Sequence, residues 1–120
     1  MYVIRLPNGN LLVPESVASD GGSLMSDAYV EIGHALDDLD GAAEQWQSDS
    51  EEFQALYGQC LPYMASAFHR HPGLLGRREF FADAFAAIAS RQRPALVEML
   101  GGDTRSALNV MLYFNVRYGI

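Results

Sequence analysis

The spacing of apolar residues changes along this chain, and that change limits the folds open to it. Tyr2-Val3-Ile4-Arg5-Leu6 and Leu11-Leu12-Val13 are β-rich runs on either side of Pro7-Asn8-Gly9-Asn10. Asn-Gly suits a tight hairpin turn, because both central residues must accept positive φ. Pro14 ends the second run by withholding a ladder donor. Ala28 to Ile32 reads as a third strand, with Tyr29 and Glu31 on one face and Val30 and Ile32 on the other. From about residue 35 the period becomes helical: Leu36, Leu39, Ala43 and Trp46 recur along one side.

Further helices are read with their punctuation. Asp49-Ser50-Glu51-Glu52 offers a start, with Asp49 as cap, and Pro62 breaks the run that follows. Met64 to His69 continues it, and His71-Pro72-Gly73 stops it. A third helix spans Arg78 to Ser90, and its alanines allow close helix approach. A short helix follows Pro94 up to Gly101-Gly102, and Asp103 or Thr104 caps the last one. The expected fold is α+β: a small N-terminal antiparallel hairpin or three-stranded sheet, then a bundle of about five helices. The 120 residues form one domain, β-rich over 1–33 and helical over 34–120. The expected core includes Val3, Ile4, Leu12, Val30, Ile32, Leu39, Trp46, Phe53, Leu56, Leu61 and Phe68. It continues through Phe81, Phe85, Ile88, Leu96, Leu100, Leu108, Met111 and Leu112.

Charge is unevenly distributed. Residues 1–60 hold eleven acids against Arg5 alone, and residues 61–120 hold seven arginines against four acids. The halves therefore carry −10 and +3 within a net charge of −7. All eight cationic side chains are arginine, each able to make a bidentate contact with carboxylate or phosphate. The acidic half repels polyanions, and the opposite signs of the two halves allow head-to-tail self-association. No apolar run is long enough to span a membrane. The N-terminus carries no leader pattern, and the single Cys60 has no disulfide partner. Both features are expected of a cytoplasmic protein.

The carboxylates between Asp37 and Glu52 alternate with apolar residues, as on a solvated helix face. General acid/base work would need one of them pushed into an apolar site. Asp37, Asp38, Asp40, Glu44 and Trp46 are therefore read as a surface for a protein partner, a basic one by charge. His69 and His71 are two residues apart, whereas a helical metal site prefers four, so they are only weak metal candidates; His34 is the one further imidazole. Cys60 lies in an apolar run with no adjacent base. Neither Gly21-Gly22 nor Gly101-Gly102 has the spacing of a phosphate loop, and Ser66 and Ser106 lack the glycines of a nucleophile elbow.

Leu96 to Asn109 outlines a helix, a glycine turn and a second helix, and is similar to the DNA-binding helix-turn-helix. That resemblance implies Arg105, Ser106 and Asn109 on bases, with Arg91 and Arg93 on phosphates. The apolar run Val110 to Val116 and the net charge of −7 weigh against it. That run instead suits a buried centre or a self-association face, and the aromatic surplus suits an apolar groove. The leading expectation is a non-catalytic interaction or regulatory module without cofactor, working through an acidic face, an apolar helical groove, or both. The alternatives are a DNA-binding regulator, and a small metal or thiol enzyme built on the histidines and Cys60.

Overall fold

The structure is a computed structural model that describes the backbone of residues 2–6 and 9–13, and residues 27–38 and 47–120. The main body is a helical bundle. Five α-helices are seen among the described residues: α1 (Asp27–Asp38), α2 (Glu51–Cys60), α3 (Leu74–Ala89), α4 (Arg93–Met99) and α5 (Thr104–Tyr118). Single 3-10 turns, Gln47–Asp49 and Leu61–Tyr63, flank α2. Ahead of the bundle, β1 (Tyr2–Leu6) and β2 (Gly9–Val13) pair antiparallel, Tyr2 opposite Val13 and Leu6 opposite Gly9. Two strands form a ribbon rather than a sheet layer, and no third strand joins them among the described residues.

The α+β expectation is therefore corrected to a helical bundle. The decisive segment is Ala28 to Ile32, which lies inside α1. As a strand it would place Tyr29 and Glu31 on one face; in the structure Tyr29 is buried and Glu31 exposed. Gly33, Leu36 and Asp37 are buried with Tyr29, a spacing of four, seven and eight residues that only a helix brings to one side. Five alternating residues fit either period, so the local pattern could not separate them. The boundary expected at residue 33 consequently runs through the middle of a helix. The Pro7-Asn8 turn residues and Leu39 to Trp46 lie outside the described residues, as do the side chains of Val3, Ile4 and Leu12.

Helix α3 is the spine. Phe80, Phe81, Ala82, Ala84, Phe85, Ala86, Ala87 and Ala89 are all buried along it. Phe81 is the hub of an aromatic cluster, its ring centroid 5.1 Å from that of Phe53 on α2 and 5.0 Å from that of Phe114 on α5. Tyr118 stands edge-on to the same ring at 6.2 Å. Leu36 on α1 and Leu96 and Leu100 around α4 complete the core.

Helix ends follow from local chemistry. The Ser50 hydroxyl accepts the Phe53 N–H at 3.2 Å and caps α2, in place of Asp49. Asp49 instead meets Arg77 at 2.9 Å and Arg78 at 3.6 Å, tying this turn to α3. Pro62 sits in the 3-10 turn that ends α2, and Met64 to His69 is not helical. Helix α3 starts at Leu74, four residues before the expected Arg78. The Asp103 carboxylate accepts the Ser106 N–H at 3.0 Å and caps α5, and Gly119, at φ 76°, closes it.

Four residues expected in the core lie on the surface: Leu61, Phe68, Leu108 and Leu112. For the last two the reason is geometric. The inward arc of α5 is Ser106, Ala107, Val110, Phe114 and Tyr118, and Leu108 and Leu112 project from the other side.

Helices α1 and α3 touch at Gly33, where a Cβ would come within 2.9 Å of both Cα and carbonyl O of Ala82. Backbone on both sides of that contact leaves the helices no way to accommodate a methyl group without separating. Gly33→Ala is therefore expected to destabilise the protein by about 1–3 kcal/mol, despite the better helix propensity of alanine. Chemical denaturation checks this; an unchanged or raised midpoint would show that α1 does not sit this close to α3.

Candidate functional site

The surface left by this packing contains an apolar stripe on α5. Leu108, Leu112 and Val116 follow each other at four-residue steps and are 62%, 58% and 67% exposed. Beside them lies an open-sided groove of about 770 Å³, between α5 and the corner where α3 passes into α4. Ile88, Met111 and Ile120 contribute to its apolar lining, and Arg91 and Arg93 are its charged lining residues. Both arginines are exposed. Arg93 opens α4, with Pro94 in the first turn. Arg91 has φ of 61°, in a turn closed by the Gln92 N–H on the Ala87 carbonyl at 2.7 Å.

Arg105, Ser106 and Asn109 line a second, polar hollow of about 460 Å³ with Gln59, Tyr63 and Asp103. Within it Ser106 is buried and occupied by the cap, both its N–H and its hydroxyl donating to Asp103 Oδ2. Those two bonds hold the Asp103 carboxyl below the usual carboxylate range. Arg105 and Asn109 are exposed. The five residues assigned to nucleic acid are thus divided: three line the polar hollow, and Arg91 and Arg93 line the groove.

The acidic residues are divided as well. Asp38 is exposed, but Asp37 is fully buried against the 3-10 turn before α2. The Ser48 N–H donates to Asp37 Oδ1 at 2.6 Å, and the Ser48 hydroxyl to Oδ2 at 2.8 Å. Burial outweighs these donors and pushes the Asp37 carboxyl up to about 6. A buried carboxyl fastening two chain segments is not part of a solvated face, so the expected location of Asp37 is corrected. Asp40, Glu44 and Trp46 lie outside the described residues.

The histidines do not converge. His69 is buried, its Nε2 2.6 Å from Asp83 Oδ2, and its carbonyl accepts the Tyr57 hydroxyl. His71 is exposed, with Nδ1 facing the neighbouring Pro72 carbonyl. His34 faces Glu79 at 3.4 Å rather than the carboxylates beside it in sequence. Among the described residues no group of three or more His, Cys, Asp or Glu could hold a metal ion. Cys60 is buried and its thiol is pushed up to about 11 by that burial, away from the thiolate form a nucleophile needs.

The features that sequence reasoning missed are Val116 as part of an exposed stripe and the groove that joins Ile88 and Ile120 to α5. A signal was present: residues 110–116 are apolar nearly all round, more than one contact face uses, so the i, i+4, i+8 remainder is the place to look. Among the described residues no helix is long and apolar enough to cross a membrane. Comparison with known proteins finds no matching family model, curated sequence or solved structure.

The Asp37 site has a pH signature. Its folded-state proton affinity is raised, so its contribution favours the fold below about pH 4 and is lost as pH rises through about 6. A shift of this size is worth on the order of 3 kcal/mol. Asp37→Asn keeps an acceptor for the Ser48 N–H and cannot ionise. The stability of this variant relative to wild type is expected to grow between pH 4 and pH 7. Urea melts across that range measure it, and a flat difference would mean that the carboxyl is solvated.

Proposed function

We propose that this chain is a non-catalytic protein-interaction module that docks its partner on the outer face of α5. The observation supporting it is the exposed stripe of Leu108, Leu112 and Val116 beside an apolar groove. Large side chains left in water at helical spacing gain by being covered, and contiguous apolar surface next to a concavity is what interaction sites present. The groove supports this reading better than an acidic face does, because Asp37 is taken up by Ser48 inside the fold.

The test replaces apolar contact without disturbing the core. Leu108→Gln and Leu112→Glu together alter exposed positions only, and are expected to shift unfolding stability by less than roughly 1 kcal/mol. Wild type and this double variant are used as baits in lysate of the native host, with and without nuclease. A protein retained in stoichiometric amount by wild type, resistant to nuclease and absent from the variant, is the expected outcome. Binding that survives the double substitution would place the interface elsewhere. Material that disappears with nuclease and requires Arg105 would favour duplex binding through the polar hollow instead.

A further inference from the structure

We propose that the polar hollow at the start of α5 binds a neutral sugar of monosaccharide size. The walls supply the first argument, because backbone contacts fix them. Tyr63 closes the 3-10 turn after α2, and a Cβ at Gly101 would come within 2.7 Å of its carbonyl oxygen. Only glycine lets the turn after α4 pack this closely on Tyr63. The Ala65 N–H donates to the Met99 carbonyl at 3.0 Å and joins the same two stretches of chain. Asp103 then caps α5, Arg105 and Asn109 follow one helical turn apart, and Gln59 adds to the lining from α2. Small-molecule sites are largely pre-formed in this way, and about 460 Å³ lies within their usual range of about 300–1,000 Å³.

Unused hydrogen-bonding capacity is the second argument. The side chains of Gln59, Tyr63, Arg105 and Asn109 enter no hydrogen bond, ion pair or ring contact among the described residues. Two carboxamides, a phenol and a guanidinium therefore offer donors and acceptors side by side. Asp103 adds one more acceptor, since both Ser106 bonds go to Oδ2 and neither to Oδ1.

Charge selects the ligand. The Ser106 bonds keep Asp103 ionised, and Arg105 acts on it through space without an ion pair among the described residues. An anion drawn to Arg105 meets the Asp103 carboxylate, and a cation drawn to Asp103 meets the guanidinium. A hydroxyl group meets neither penalty, because it accepts from the guanidinium and donates to the carboxylate. Neighbouring hydroxyls of a sugar ring match the two-pronged edges of a guanidinium and a carboxamide. The Tyr63 ring, 48% exposed, offers an apolar face to the C–H side of such a ring.

The experiment is an NMR titration of the isotope-labelled full chain with D-glucose, D-galactose and D-mannose. Each is taken to about 50 mM, well above the millimolar dissociation constant expected of so small a ligand. Inorganic phosphate and glycine are titrated in parallel as an anion and a zwitterion. At least one sugar is expected to give saturating shifts of the Gln59 and Asn109 side-chain amide signals. Its affinity should fall about tenfold in Arg105→Ala or Asn109→Ala, which remove hydrogen bonds to the ligand. Both substitutions alter exposed side chains without partners among the described residues, so the melting temperature stays level. No saturating shift of those signals with any of the three sugars would overturn the proposal, as would sugar binding that neither substitution weakens. Saturation by phosphate or glycine in place of the sugars would make the ligand a charged one, and would overturn it as well.

Discussion

Nearly the whole circumference of α3 is buried, and the position of the other helices depends on that. Phe80 and Phe81 pack their rings against α2 and α5 and Phe85 lies beside Gly33 of α1, while Ala82, Ala84, Ala86, Ala87 and Ala89 allow neighbouring backbones to come close. Interiors pack at crystal-like density, so this alternation of large and minimal side chains decides how near each partner helix lies. Helix α1 sits against Ala82 because Gly33 lets it. Aromatic rings from three helices meet at Phe81, each offering a tilted or edge-on face to the next.

Polar side chains mainly fasten the connections of this bundle. Asp37 holds the turn at Ser48, and Arg77 joins the Ser48 carbonyl to the Asp49 carboxylate. Gln47, in the same turn, takes hydrogen bonds from Arg117 and Tyr118 at the end of α5. The Gln47–Asp49 turn thus reaches α1, α3 and α5 at once. Buried or half-buried groups matched in this way make loop geometry specific, since leaving any one of them without its partner costs free energy.

The outer side of α5 follows from the arrangement inside. Once Ala107, Val110, Phe114 and Tyr118 turn into the core, helical geometry sends Leu108, Leu112 and Val116 to the far side. The turn after α3 then brings Arg91 and Arg93 alongside that stripe. Cationic groups and apolar surface meet there although they belong to different segments of the chain.

Several stop signals of the later helices could be read in the sequence, because Pro62, Pro94, the Gly101-Gly102 pair and the Asp103 cap act within a few residues of themselves. The breaks after Cys60 and Met99 and the Asp103 cap are of this kind. The excess of apolar residues in 110–116 could also be read, but not its use. Whether Tyr29 to Ile32 forms strand or helix was undecidable locally, since the alternation is too short and the deciding contact is Gly33 against Ala82, 49 positions away. Burial of Asp37 was hidden for the same reason: a carboxylate in an acidic run looks solvated until Ser48 folds onto it. The sequence by itself determined a set of short helices with a surplus of apolar residues. Only the tertiary structure decided which faces that surplus leaves in water, because the elements packed on α5 cover Ala107, Val110, Phe114 and Tyr118 and leave Leu108, Leu112 and Val116 exposed.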